Sequence, residues 1–352
     1  MLRYSELIKL IKHSQMCFAK DFTFGIQNVK GKMCLRKYDR LTLSHVFSKI
    51  IPEDVELGPC IYASDKGLIF VNMYSQIIQF DYNLNFCKME NNLGFNLSSN
   101  ITNAKVVTLS KNHLNDRFLG LFDLEKFTLL WSIAENIGLV NYQYMDMIFC
   151  NHLQDNYKIL AFNSEGVKVW QNQINRNGKI LSFLGIHENV LVVCLQFGNA
   201  YGLMGLDIHT GQILWNRDDW GLLQGHHITM QNGKIFSLKG GTFSDSYYLE
   251  ADISTVSLIR YGEVPNLKKQ GFSVFNYTLH GNHIYFTANK LGTTEAKSIG
   301  ILDYQSLELL WYQEVELQNG AFFGLSNKPV IDGNKLYILD TVGTLHIFER
   351  ET

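Results

Sequence analysis

Leu206-Asp207-Ile208-His209-Thr210-Gly211-Gln212-Ile213-Leu214-Trp215 is the stretch on which the fold turns. An apolar strand end meets a turn of Asp, Thr and Gly, and a Trp follows the Asp by eight residues. A short Asp side chain bonds nearby backbone N–H groups and Gly accepts φ > 0, so Asp-x-x-Thr-Gly is turn chemistry. The Trp then carries a large apolar area that must be buried. Leu302-Asp303 leads to Leu310-Trp311 and Phe122-Asp123 to Leu130-Trp131 at the same offset.

Weaker copies follow in register. Phe80-Asp81 reaches Met89 at the Trp position, and Tyr38-Asp39 reaches Phe47. Asp252 is followed by Thr255, with Arg260 in place of Trp, while Asn163 reaches Trp170 with one residue deleted. The last copy, Ile347-Phe348-Glu349, stops before its Trp strand. The anchors 39, 81, 123, 163, 207, 252, 303 and 349 are spaced by 42, 42, 40, 44, 45, 51 and 46 residues. A period of this length running through the chain is the signature of a repeat architecture.

Each unit reads as β. Asn334 to Leu339 and Gly343 to Phe348 are short strands joined by a turn at Asp340 to Gly343. The same hairpin recurs at Leu68 to Val71 with Gln76 to Phe80, and at Val190 to Leu195 with Met204 to Leu206. Four short strands per unit predict an all-β propeller of antiparallel four-stranded blades. Trp131, Trp170, Trp215 and Trp311 are expected to pack neighbouring blades together. Leu41 to Phe47 is the expected donor of the missing strand of the last blade, so that N- and C-terminal strands close the ring and remove an edge. That assignment favours seven blades over eight. Residues 1–38 are then an N-terminal extension or partial blade, with a short helix over Ser5 to Ser14, and 39–352 are a single propeller domain.

Asp207, Thr210, Gly211 and Trp215, preceded by an apolar strand, resemble the tryptophan-docking repeat of the quinoprotein (PQQ-like) propellers. That family includes quinoprotein alcohol dehydrogenases and the propeller lipoprotein of the outer-membrane assembly machinery. The resemblance implies a fold rather than a function. It would imply a quinone stacked on a vicinal Cys–Cys disulfide in the enzymes, yet no Cys-Cys pair occurs here.

The rest of the sequence narrows the function by exclusion. The 352 residues, 46% of them apolar, suffice for a large core. With 31 basic and 33 acidic residues there is no basic excess of the kind a nucleic-acid binder shows. Charges interrupt the first residues every few positions, and no apolar run is long enough for a membrane span. Cys17, Cys34, Cys60, Cys87, Cys150 and Cys194 are scattered, as expected of small buried hydrophobes in a reducing, cytoplasmic compartment. There is no GxSxG, HExxH or EF-hand pattern, so no catalytic, cofactor or metal residue is assigned.

Loops joining the second and third strands, and those leading into the next blade, fall on one face. Gln196 to Leu203, Gly240 to Tyr248, Asn289 to Lys297 and Arg217 to Gly221 lie there. Exposed aromatics beside charges are interface anchors. Trp220, Asp218, Asp219, Tyr201, Phe243 and Asp245 are therefore the candidate partner-binding residues, with local packing as the competing role for Trp220. The expected function is a non-enzymatic protein-binding propeller, with a cytosolic immunity-type inhibitor of a bacterial protein toxin as its narrower form. A small-molecule or sugar-binding propeller and an assembly scaffold are the alternatives.

Overall fold

In the computed structural model, Asp39, Asn163, Asp207, Asp252 and Asp303 each end the third strand of a four-stranded antiparallel sheet and open the turn into its fourth; Asp81 directly follows the third strand of its sheet, and Asp123 ends the middle strand of a sheet of three described strands. The structure describes the chain apart from residues 1–3, 11–14, 19–20, 31, 53–54, 56–59, 65, 72–75, 92–102, 112–116, 156, 175–177, 223–226, 242–243, 318–323, 326 and 352.

The turn explains the repeat. Asp207 Oδ1 accepts the backbone N–H of His209 (3.0 Å) and Thr210 (2.8 Å) and the Thr210 hydroxyl (2.8 Å). Gly211, at φ +71°, then returns its own N–H to the Asp207 carbonyl. Asp303 does the same with Gln305 and Ser306, and Asp39 with Leu41 and Thr42. Leu43, Phe127, Val256 and Leu307 stand where Gly211 does and hold φ between 52° and 58°. These side chains bear a backbone conformation that glycine adopts without cost.

Turn length then sets register. Asp207 pairs its N–H with the carbonyl of Gln212, whereas Asn163 pairs with Val167 and Asp81 with Asn85, a turn shorter by one residue. The residue facing the position two before the anchor is Trp131, Trp170, Trp215 and Trp311 in the tryptophan blades. In the Asp81 blade the shorter turn puts Lys88 there, opposite Gln79, and moves Met89 one position on. The expected Met89 is corrected to Lys88 for that reason.

Eight sheets form, and the fold is an all-β propeller of eight blades. The blade that decides the count is the first, built from Gln15–Phe18, Phe22–Val29, Lys32–Asp39 and His45–Ile50. Leu41 to Phe47 is thus occupied as the turn and fourth strand of its own blade, and cannot complete the last one. Tyr4–Leu10 supplies that strand instead, pairing antiparallel with Leu345–Arg350 from Tyr4↔Arg350 to Leu10↔Leu345. Terminal strands do pair, as expected, but the count of seven gives way to eight, and the described part of the expected helix is a strand.

The chain groups into two compact units. Blades two to five and most of blade one fall in the unit of Met16–Gly25 and Val29–Gln224; blades six to eight fall in that of Gly225–Thr352 and Met1–Gln15, which also takes Gln15 and Ile26–Asn28 of blade one. In the first unit, Phe149, Trp170, Leu191, Val193, Met204 and Leu206 belong to one buried cluster between blades four and five. In the second, Phe236, Tyr248, Phe272, Tyr277, Ile284 and Phe286 form the corresponding cluster between blades six and seven. The strands after the anchor turns are the exposed ones: Thr128–Ala134 and Ser257–Glu263 each carry only exposed and half-buried side chains. The one helix among the described residues, Pro265–Gln270, follows blade six and ends at Gly271 in the left-handed region. No helix there is long and apolar enough to cross a membrane.

Candidate functional site

Trp131 and Trp170 dock in the same way, whereas the buried Nε1 of Trp215 has no hydrogen-bond partner among the described residues. Trp131 Nε1 donates to the Ser164 carbonyl at 2.6 Å, and Trp170 Nε1 to the Ile208 carbonyl at 2.7 Å. In both cases the acceptor is the residue after the next blade's anchor, so each indole ties one fourth strand to the following turn. The ring also lies flat on that turn's glycine, since a Cβ on Gly211 would come within 2.5 Å of Trp170. The glycine that allows the turn is therefore also the glycine that admits the ring.

In two of the blades without Trp, another donor reaches the same carbonyl. In blade one, Phe47 has no N–H to give, and Lys37 opposite it donates Nζ to the Tyr82 carbonyl at 2.9 Å. Burial lowers the Lys37 pKa, and the ammonium sits 3.6 Å from the centre of the Phe22 ring. Lys88 places its ammonium 5.7 Å from the ring of Phe127 in the next turn. Arg260 donates Nη2 to the Tyr304 carbonyl at 2.9 Å, which is again the residue after the anchor, Asp303.

Arg260 brings a charge, and the opposite position answers it. Glu250, facing Arg260 across the pair of strands, is 1% exposed. Arg260 Nε donates to Glu250 Oε2 at 2.8 Å, Lys234 Nζ to Oε1 at 2.8 Å, and the Tyr304 hydroxyl also to Oε1. Burial raises the carboxyl pKa, but hydrogen bonds from Lys234, Tyr304 and Arg260 outweigh it and bring Glu250 down to about 2. The guanidinium lies over the rings of Tyr248 and Tyr304, 5.1 and 5.3 Å from their centres. The hydrogen bond to Glu250 raises the Lys234 pKa, so its ammonium stays charged.

A pocket of about 250 Å³ opens beside this network. Gln231, Asn232 and Lys234 line it from the first hairpin of blade six, with Phe236 behind. Leu279, Gly281 and Asn282, from the first hairpin of blade seven, and Tyr304, from its last turn, complete the wall. These are first-hairpin and last-turn residues. The side expected to carry function was the other one.

The expected partner-binding residues fall as follows. Trp220 is buried, 5% exposed, and stacks on Trp215 at 6.4 Å with the rings 30° apart. Tyr201 is also buried, its N–H bonded to the Leu222 carbonyl at 2.8 Å. Asp218 and Asp219 face solvent, with Asp219 lying 4.0 Å from Arg217. Asp245 lies on the strand Ser244–Asp252 of the other unit, and Phe243 is outside the described residues. The loop Gln196 to Leu203 is mostly paired strand, with Gln196↔Tyr201 and Phe197↔Ala200 forming a tight hairpin. The pocket was not anticipated, although two signals pointed to it: Arg260 in a Trp slot, and Glu250 where other repeats carry Leu121, Ala161, Gly205 or Ile301.

Solved structures of the same fold are numerous. The C-terminal WD40 domain of Sif2 superposes with TM-score 0.68 at 11% identity, covering 99% of each chain. BamB from Moraxella catarrhalis gives 0.63 at 14% identity over 99% of this chain and 98% of that one. The quinohemoprotein alcohol dehydrogenase from Comamonas testosteroni gives 0.64 at 9%, over 98% of this chain and 76% of that one. At these identities the likeness is one of fold. It places a quinoprotein-type propeller and a WD40 propeller on an equal footing. No family model matches the chain, and no curated protein is similar to it in sequence.

Proposed function

We propose that the chain is a non-enzymatic propeller that binds a protein partner. The observation that carries this is the outer strand of blade six. Leu258, Ile259 and Tyr261 on Ser257–Glu263 are 41%, 45% and 54% exposed, and Tyr247 beside them is 37% exposed. Tyr247 and Tyr261 stack at 6.4 Å. Tyrosine is enriched in interface cores, and an outer strand offers unpaired backbone groups to a partner. An exposed aliphatic and aromatic group on a rigid edge is what a docking protein uses.

The carboxylates support the non-enzymatic half. A general acid needs a raised carboxyl pKa near working pH. Asp207, Asp252 and Asp303 are instead lowered by hydrogen bonds within their turns, and Glu250 by those from Lys234, Tyr304 and Arg260. Cys34, Cys150 and Cys194 are buried free thiols, which suits a reducing, cytoplasmic setting. The narrower form of the proposal is an immunity-type inhibitor that occludes a bacterial protein toxin.

Affinity capture from native lysate, with Ile259→Ser/Tyr261→Ser alongside the unaltered chain, tests both forms. A stoichiometric protein retained by the unaltered chain and lost with the double variant supports docking; a toxin among retained proteins supports the narrower form. Equal capture by both chains refutes this edge as the contact.

A further inference from the structure

The pocket between the first hairpins of blades six and seven lies beside the contacts that join them, the Arg260 bond to the Tyr304 carbonyl and the buried cluster that includes Phe236 and Tyr248. We propose that it binds a neutral, polyhydroxylated ligand of one-ring size, of which a monosaccharide or its glycoside is the representative class. This goes beyond the protein-docking reading and is independent of it.

Size sets the first limit. At about 250 Å³ the space lies just under the usual range of drug-sized sites and suits one ring.

Charge sets the second. Among the described residues Lys234 is the one charged residue lining the pocket, and it is already held by Glu250 at 2.8 Å and lies in the field of Asp252. A small anion would meet an ammonium whose charge is answered from behind. A small cation would meet that ammonium in the wall. Neither is favoured over a neutral ligand.

The remaining lining groups decide the class. The amides of Gln231, Asn232 and Asn282 each present donor and acceptor together, as hydroxyl groups do. Phe236, Leu279 and the Tyr304 ring supply the apolar surface against which the C–H face of a sugar packs. The surface is also held in place: Tyr304 is fixed by its bond to Glu250 and meets Phe236 edge-on at 5.6 Å. Gly281 sits at φ +57° with nothing within 4 Å of where a Cβ would stand, which leaves that side of the wall open.

The test is saturation-transfer NMR and calorimetry on the full chain. The probes are methyl glycosides of glucose, galactose, mannose and N-acetylglucosamine, with sodium acetate and phosphate as the anionic comparison. Asn232 holds φ +49°, so the variant that removes its amide without strain is Asn232→Gly, combined with Asn282→Ala. At least one glycoside is expected to saturate, and the double variant to weaken it about tenfold or more. Glu165→Ala, at an exposed position in the other unit, is expected to leave binding unchanged. Should the double variant lose its fold by circular dichroism, Gln231→Trp, which fills the mouth, replaces it. Saturation by acetate or phosphate alone, no saturation by any glycoside, or glycoside binding indifferent to these variants would each overturn the proposal.

Discussion

Exchanging the pair Glu250–Arg260 for the pair used in blade four, Ala161–Trp170, separates a docking role from any other for these residues. Arg260→Trp alone removes the guanidinium from a carboxylate that is 1% exposed and leaves Lys234 as its only cation. Breaking a buried pair by removing one partner costs about 3–5 kcal/mol. Lys234 is retained, so roughly 3 kcal/mol is the expected loss. Glu250→Ala alone leaves a guanidinium that is still 29% exposed, lies over two tyrosine rings and donates to the Tyr304 carbonyl. About 1.5–3 kcal/mol is expected there, the scale of a hydrogen bond to a charged group. The double variant recreates an arrangement the chain already uses, with an indole able to reach the same carbonyl, and should be less destabilised than Arg260→Trp alone. The expected coupling is at least ~1.5 kcal/mol, within the range seen for residues in one network. Urea denaturation followed by far-UV circular dichroism at neutral pH supplies the four values. Additive losses, within about 0.5 kcal/mol, would refute the interchangeability of the two pairs. Acid supplies an independent reading. Glu250 is lowered from 4.5 to about 2, so its contribution is present above pH 4.5 and is lost as pH falls towards 2. The double variant should lack that part of the acid loss.

Val256 is a β-branched residue at φ +52° in the turn of blade six, and Val256→Gly should stabilise by roughly 0.5–1 kcal/mol in urea denaturation. Trp170→Phe keeps most of the buried ring but leaves the Ile208 carbonyl without its donor, and should cost about 1–2 kcal/mol in the same assay. Burial pushes the Cys194 thiol up to about 12 and that of Cys150 higher still, while Cys87 is exposed. Maleimide labelling of the native protein, mapped by peptide mass spectrometry, should therefore modify Cys87 and spare the other two until denaturant is added.

The repeat was readable because its turn is chemically explicit. Asp207, Thr210 and Gly211 announce the turn, and Trp215 announces the strand after it. The blade count was harder, because Tyr4–Leu10 carries none of these residues and reads equally as helix or strand. Its pairing with Leu345–Arg350 spans nearly the whole chain, and only tertiary structure sets it. Lys88 was misplaced by one position because Asp81 and Asp207 look alike as anchors, while the lengths of their turns differ. Trp220 drew attention as an aromatic beside two acids. Its burial against Trp215 depends on how a loop folds back, which local composition does not encode.

The substitutions at the docking slot follow from what the slot requires. The next turn presents a carbonyl one residue after its anchor, and burying that group without a donor is costly. Indole, ammonium and guanidinium can each supply the N–H from a side chain long enough to reach across. The cations carry a further consequence that the indole does not. At Lys37 the charge is accommodated over the Phe22 ring, with its pKa lowered by burial. At Arg260 the charge is met by Glu250, and a buried carboxylate has more acceptor sites than one guanidinium occupies. Lys234 and Tyr304 fill those sites, and both stand at the pocket wall. A Trp over an Ala, as in blade four, would call for neither group. The Lys234 and Tyr304 side of this pocket is therefore tied to the Glu250–Arg260 pair in an otherwise structural position, and Glu250→Ala/Arg260→Trp should remove the constraint on Lys234 and Tyr304 together.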